Sequence, residues 1–117
     1  MEHKTTVAIV RTADYAGIDE AVADALSLIG ADRYIRPGEN ILFKPNLLMR
    51  IRNACTESDF LSAVARFIRP FNTNLTAGDS PGQFRHRAAS VMRGVGMDAV
   101  LEAEHIAYAE FESGGVL

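Results

Sequence analysis

Two hydrophobic periods alternate along this chain. Short, nearly continuous apolar runs at 7–10, 41–43, 75–78 and 106–111 are separated by longer stretches whose apolar residues recur at helical spacing. A run of the first kind suits a strand buried on both faces, as in parallel sheets. A stretch of the second kind suits a helix with one apolar stripe. Strands that alternate with helices imply a mainly parallel sheet joined by right-handed crossovers. The expected fold is therefore α/β in the order βαβαβαβ, with about four strands flanked by helices in a Rossmann-like three-layer architecture. Residues 1–117 read as one domain, since this length supports a single real core but not two.

Local signals punctuate the pattern. Ile18, Val22, Ala25, Leu26 and Ile29 form the first stripe, with Asp19 and Glu20 in the first turn, where the helix dipole favours acids, and Gly30 as the stop. Pro37-Gly38 marks a tight turn, and Pro45 closes the strand at 41–43 because it has no N–H to donate. Thr56, with an acid three residues on, predicts a capped helix carrying Phe60, Leu61, Val64, Phe67 and Ile68 and ending at Pro70. Ser80, Pro81 and Gln83 predict a capping box at the start of a third helix, whose buried face is Ala88, Val91, Met92 and Val95. Gly94 and Gly96 end it, and a short helical piece near Ala99-Val100-Leu101 follows.

Composition narrows the class of function. A 48% hydrophobic and 23% charged chain is an ordinary globular one, not a disordered one. A net charge of −3 lacks the basic footprint of a nucleic-acid binder. No apolar stretch approaches the roughly 18 residues of a membrane span, and the N-terminus lacks the apolar core and cleavage site of a signal peptide. The one cysteine, Cys55, cannot form an internal disulfide or supply the ligands of an iron–sulfur cluster. Together these predict a cytoplasmic protein with no cofactor in this chain and no nucleic-acid or membrane partner.

In open α/β sheets, ligands bind beyond the carboxyl ends of the strands. That rule selects Arg11 after the first run, Lys44 and Asn46 after the second, and Asp79 and Ser80 after the third. Two cations, an amide, a carboxylate and a helix N-terminus suit an anionic small molecule. The alternative is that Lys44 and Asp79 pair structurally while Asn46 closes a turn. Arg50 and Arg52 lie in the loop beyond, where they either close over an anion or face solvent. Arg85, His86, Arg87 and Arg93 read as a solvated helix face rather than a phosphate or partner patch.

Gly78-Asp79-Ser80-Pro81-Gly82 also matches the G-x-S-x-G elbow of serine hydrolases. The oxyanion hole of those enzymes uses the backbone N–H after the serine, and Pro81 has none. His86 and His105 are the available bases, and neither has an evident orienting acid. No His or Cys pair stands at metal-ligand spacing.

Taken together, Val7-Ala8-Ile9-Val10-Arg11, Ile35 to Leu48 with its Lys44-Pro45-Asn46-Leu47 core, and Gly78-Asp79-Ser80-Pro81-Gly82 resemble domain-of-unknown-function family 362. The family's Thr-rich stretch is reduced here to Cys55-Thr56. The resemblance implies the front part of a longer domain, with Lys44, Asn46 and Asp79 as site residues. It also implies an iron–sulfur redox context, in which any [4Fe-4S] cluster belongs to a region beyond Leu117.

Three functions follow. One is the substrate-binding front of a redox or cofactor-assembly enzyme. Another is a binding module for an anionic metabolite without chemistry of its own. The last is an assembly piece: half a domain would leave a sheet edge and apolar surface uncovered and should form homo-oligomers.

Overall fold

The computed structural model describes residues 3–81 and 87–111. Its elements are α1 (Ile18–Leu28), β1 (Ile41–Phe43), α2 (Ser58–Ile68), β2 (Leu75–Ala77), α3 (Ala88–Val95), α4 (Met97–Ala103) and β3 (Ala107–Tyr108), with short 3-10 turns at Tyr15–Gly17, Ala31–Tyr34 and Arg52–Ala54. The strands form one parallel sheet in the order β1-β2-β3, with Ile41 opposite Leu75 and Thr76 opposite Ala107. The α/β class and the parallel sheet are those the apolar pattern predicts.

The strand number differs: three are formed among the described residues rather than about four. Residues 7–10 pair with no strand among the described residues, and Val7 and Ile9 are 75% and 86% exposed. A strand exists only where a neighbouring backbone takes up its N–H and C=O groups, and hydrophobicity alone does not supply that neighbour. Ala8, Ile9 and Val10 instead border a cavity of about 400 Å³ with Val22 and Leu26 of α1 and Phe60 of α2. The last strand is also shorter than the apolar run that predicts it.

The core lies between the sheet and α2, α3 and α4. Phe43, Leu75 and Ala77 from the strands meet Leu61, Ala65 and Ile68 of α2, Val91 and Met92 of α3, and Met97 and Leu101 of α4. The α2 stripe arises from the helical spacing of its apolar residues, so one face is buried and Arg66 is left outside. Gly96, at φ 79, lets the chain turn out of α3 and directly into α4, in a left-handed conformation that L side chains rarely adopt. α1 packs against α2 but contributes only Val22 as a buried residue.

A polar cluster joins the helices. The Glu104 carboxylate is buried at the end of α4. Its Oε1 accepts from the Ser62 hydroxyl at 2.6 Å and from Arg66 Nε at 2.9 Å, and its Oε2 pairs with Arg69 Nη1 at 3.0 Å. Arg69 also donates to the Glu104 backbone carbonyl. Arg66 reaches on to Asp19 of α1 at 2.6 Å. Burial pushes the Glu104 carboxyl up, but the hydrogen bonds from Ser62 and Arg69 and the Arg66 charge outweigh it, and the group titrates below the usual carboxylate value. One buried acid thus ties α1, α2 and α4 into a unit.

Two predicted helix starts are placed differently. α2 begins at Ser58 with Glu57 before it and no side-chain cap, because the Thr56 hydroxyl is used elsewhere. α3 begins at Ala88 with Arg87 in the capping position, not at Ser80. The rest of the predicted capping box, with Gln83, and the predicted base His86 lie outside the described residues. No helix among the described residues is long and apolar enough to cross a membrane.

Candidate functional site

Parallel strands place every strand's carboxyl end at one edge of the sheet. Lys44 directly follows β1 and Asp79 lies just past β2, so the fold brings both to that edge. The ladder runs on past the strands: Gly78 N–H donates to the Phe43 carbonyl at 3.1 Å, which holds the two exits side by side. Lys44, Asn46, Asp79 and Ser80 line one cavity of about 260 Å³, together with Leu47, Leu48 and Ala54. The last three supply an apolar wall that sequence reasoning does not single out. Residue types at strand ends are visible in a sequence, but the wall depends on how the following loop folds back.

The loop folds back through Thr56. Its hydroxyl accepts the Asn46 N–H at 2.8 Å, and its own N–H donates to the Asn46 carbonyl at 2.9 Å. A bridge between Leu47 and Cys55 continues the closure. The backbone of Asn46 therefore closes the turn. Its side-chain amide makes no hydrogen bond among the described residues and stands free at the cavity. The same holds for the Ser80 hydroxyl.

Asp79 is the anchor. Its side chain is 8% exposed, while that of Lys44 is 62% exposed. Asp79 Oδ1 accepts from Lys44 Nζ at 2.8 Å, and Oδ2 accepts from the buried Leu47 N–H at 3.0 Å. One carboxylate thus fixes both the lysine and the loop that follows it. The structural pairing of Lys44 with Asp79 is formed. It does not exhaust either group, since an ammonium has three donors and a carboxylate roughly four lone-pair sites.

Other predicted contributors lie elsewhere. Arg11 is exposed and does not line the cavity. Arg50 donates to Ser90 of α3, and its aliphatic stem lies over Gly94, so it is held on α3. With α3 beginning at Ala88, the described residues show no helix N-terminus at Ser80 to supply N–H donors. His105 precedes β3, at the opposite sheet edge from Ser80, which leaves the serine without that base. Cys55 is a free thiol that donates to the Met49 carbonyl at 3.1 Å. A lone cysteine does not fit a [4Fe-4S] cluster, which takes four thiolates.

The fold and this edge define an α/β protein with a small cavity, part polar and part apolar, at the carboxyl ends of parallel strands. The chain belongs to the family described as Domain of unknown function (DUF362), whose family model matches residues 41–116. That segment contains Lys44-Pro45-Asn46-Leu47 and Gly78-Asp79-Ser80-Pro81-Gly82, while Val7 to Arg11 and Ile35 to Asn40 lie before it. No curated protein and no solved structure matches the chain.

Proposed function

We propose that this chain binds an anionic small molecule at the carboxyl ends of β1 and β2. The reading rests on one observation: a solvent-facing lysine held 2.8 Å from a buried aspartate at the mouth of a 260 Å³ cavity. Asp79 fixes the ammonium in place, so less side-chain entropy is lost when a ligand engages it. Asn46 and Ser80 add uncommitted polar groups beside it. Lys44 neutralises the anion, Asn46 orients it, and Asp79 holds the lysine and takes a polar group of the ligand. Arg11 contributes charge only if residues 3–11 approach the cavity.

Family membership supports a wider setting. In a longer family protein this unit serves as the substrate-binding front of an iron–sulfur-associated redox enzyme, with its cluster outside these residues. A free thiol at Cys55 fits a reducing, cytoplasmic compartment. The test is a titration of acetate and of inorganic phosphate into the chain and its Lys44→Ala variant. Loss of binding in the variant is expected, and unchanged affinity overturns the reading.

A second reading, a self-associating module, is favoured by a different observation. β1 is an edge of the described sheet, and Leu42 on it is 53% exposed, as are Val7 and Ile9 more strongly. Uncovered strand edges with apolar side chains invite pairing between copies. Sedimentation equilibrium decides it: a concentration-dependent dimer is expected, and a monodisperse monomer refutes it.

A further inference from the structure

Within the anion-binding reading, on which this inference rests, the arrangement of the charged pair selects a class of ligand. We propose that the cavity takes a short hydroxy-carboxylate, a monoanion that carries a neutral hydroxyl next to its carboxylate.

The argument begins with charge. Lys44 and Asp79 lie 2.8 Å apart, so their formal charges cancel at the cavity mouth. A multiply charged anion such as a polyphosphate would meet one shared lysine and a fixed carboxylate. The like-charge contact with Asp79 opposes it, because the acid is buried and cannot swing away into solvent. A monoanion asks for less compensation. Two donors of the lysine ammonium remain after its bond to Asp79, and the Asn46 amide adds more, which suits one carboxylate.

The aspartate adds a second requirement. Among the described residues each of its oxygens accepts one hydrogen bond, from Lys44 and from the Leu47 N–H. Each retains a lone pair, and Asp79 lines the cavity. A ligand that presents only acceptors leaves that capacity dry and unpaired, which is unfavourable for a buried group. A ligand with a donor fills it. An ammonium donor would sit beside the Lys44 ammonium and be repelled, whereas a hydroxyl donor would not. Ser80 can exchange a hydrogen bond with the same hydroxyl, and Leu47, Leu48 and Ala54 offer apolar contact to a short carbon chain. A volume of about 260 Å³ suits a few-carbon acid.

The experiment measures binding of glycolate, acetate, glycine and inorganic phosphate to the full chain by calorimetry or ligand-observed NMR. Glycolate and acetate differ by one hydroxyl, so their ratio isolates the Asp79 contact without any mutation. Glycolate is expected to bind about ten-fold tighter than acetate, the worth of one hydrogen bond to a charged group, and tighter than glycine or phosphate. In Asp79→Asn, which keeps an acceptor for the Leu47 N–H, the preference for glycolate over acetate should collapse. Equal binding of glycolate and acetate, lost together in Lys44→Ala, overturns the hydroxy-acid assignment and leaves the anion reading standing. Binding of none of the four overturns both.

Discussion

Replacing Glu104 by Gln tests whether one buried carboxylate holds the helical layer together. The substitution keeps shape and removes charge. In the native chain Oε1 accepts from Ser62 and Arg66, and Oε2 from Arg69. A carboxamide has a single acceptor oxygen. If that oxygen stays with the buried Ser62 hydroxyl, the bond falls from the range for charged groups to that for neutral ones, a loss of roughly 1 kcal/mol. The amide nitrogen then faces Arg69, a donor against a donor, and that pair is lost. Arg69 is 35% exposed and can regain water, which limits this loss to about 1 kcal/mol. Arg66 adds nothing to the sum because its guanidinium is largely solvated. The expected total of about 2 kcal/mol corresponds to a fall in Tm of roughly 8 °C for a chain of this size.

The pH dependence provides the second arm of the test. Glu104 titrates below its usual value in the folded chain. A depressed folded pKa means the stabilisation is fully present above the unfolded carboxylate pKa and is lost as pH falls through the folded one. The gap between the native chain and Glu104→Gln should therefore be constant around pH 7 and narrow on acidification below the normal carboxylate range. Urea unfolding followed by circular dichroism at a series of pH values reads both arms. A midpoint unchanged at pH 7, or a gap that widens in acid, refutes the reasoning.

Three further substitutions probe the sheet and the site. A Cβ at Gly78 would overlap the Ala109 carbonyl and lie 2.8 Å from the Phe111 ring, so Gly78→Ala should cost about 1–3 kcal/mol in chemical denaturation; a neutral result would mean β3 is free to move aside. Asn72 is buried, donates to the Arg36 and Glu39 carbonyls at 2.7 and 2.8 Å and accepts the Asn74 N–H at 2.6 Å, so Asn72→Ala should cost roughly 2–3 kcal/mol and speed amide exchange in the 36–39 turn. Leu47 is 1% exposed below the cavity, and Leu47→Ala should lower stability by about 2–5 kcal/mol while Lys44 keeps its partner, which a Tm measurement combined with ligand titration would separate.

Much of the candidate site was legible because it lies where strands end. A proline after an apolar run marks an exit, and Lys44 and Asn46 flank it; the same logic reaches Asp79 and Ser80. What could not be read was how the residues divide the work. Asn46 was read either as closing a turn or as part of a ligand site; its backbone closes the turn, because the Thr56 hydroxyl and N–H take it up from ten residues away, and its side chain is left beside the cavity. Glu104 was missed because its partners lie on α2, 42 and 38 residues distant, and a single acid after a short helix carries no local signal.

The amino-acid sequence by itself determined the properties set by near neighbours: the period of each apolar stripe, the stop at Gly30, the turn at Pro37-Gly38 and the strand at Ile41–Phe43, together with the α/β class that follows from their alternation. These depend on dihedral preferences and spacing within a few residues. The tertiary structure alone decided whether an apolar run becomes a strand, since residues 7–10 have the composition of one but no ladder among the described residues. It alone joined Lys44 to Asp79 and gave that carboxylate the Leu47 N–H as well. Pairing of backbones and of charges is a relation between distant segments, and its free energy appears only when the fold has brought the partners together.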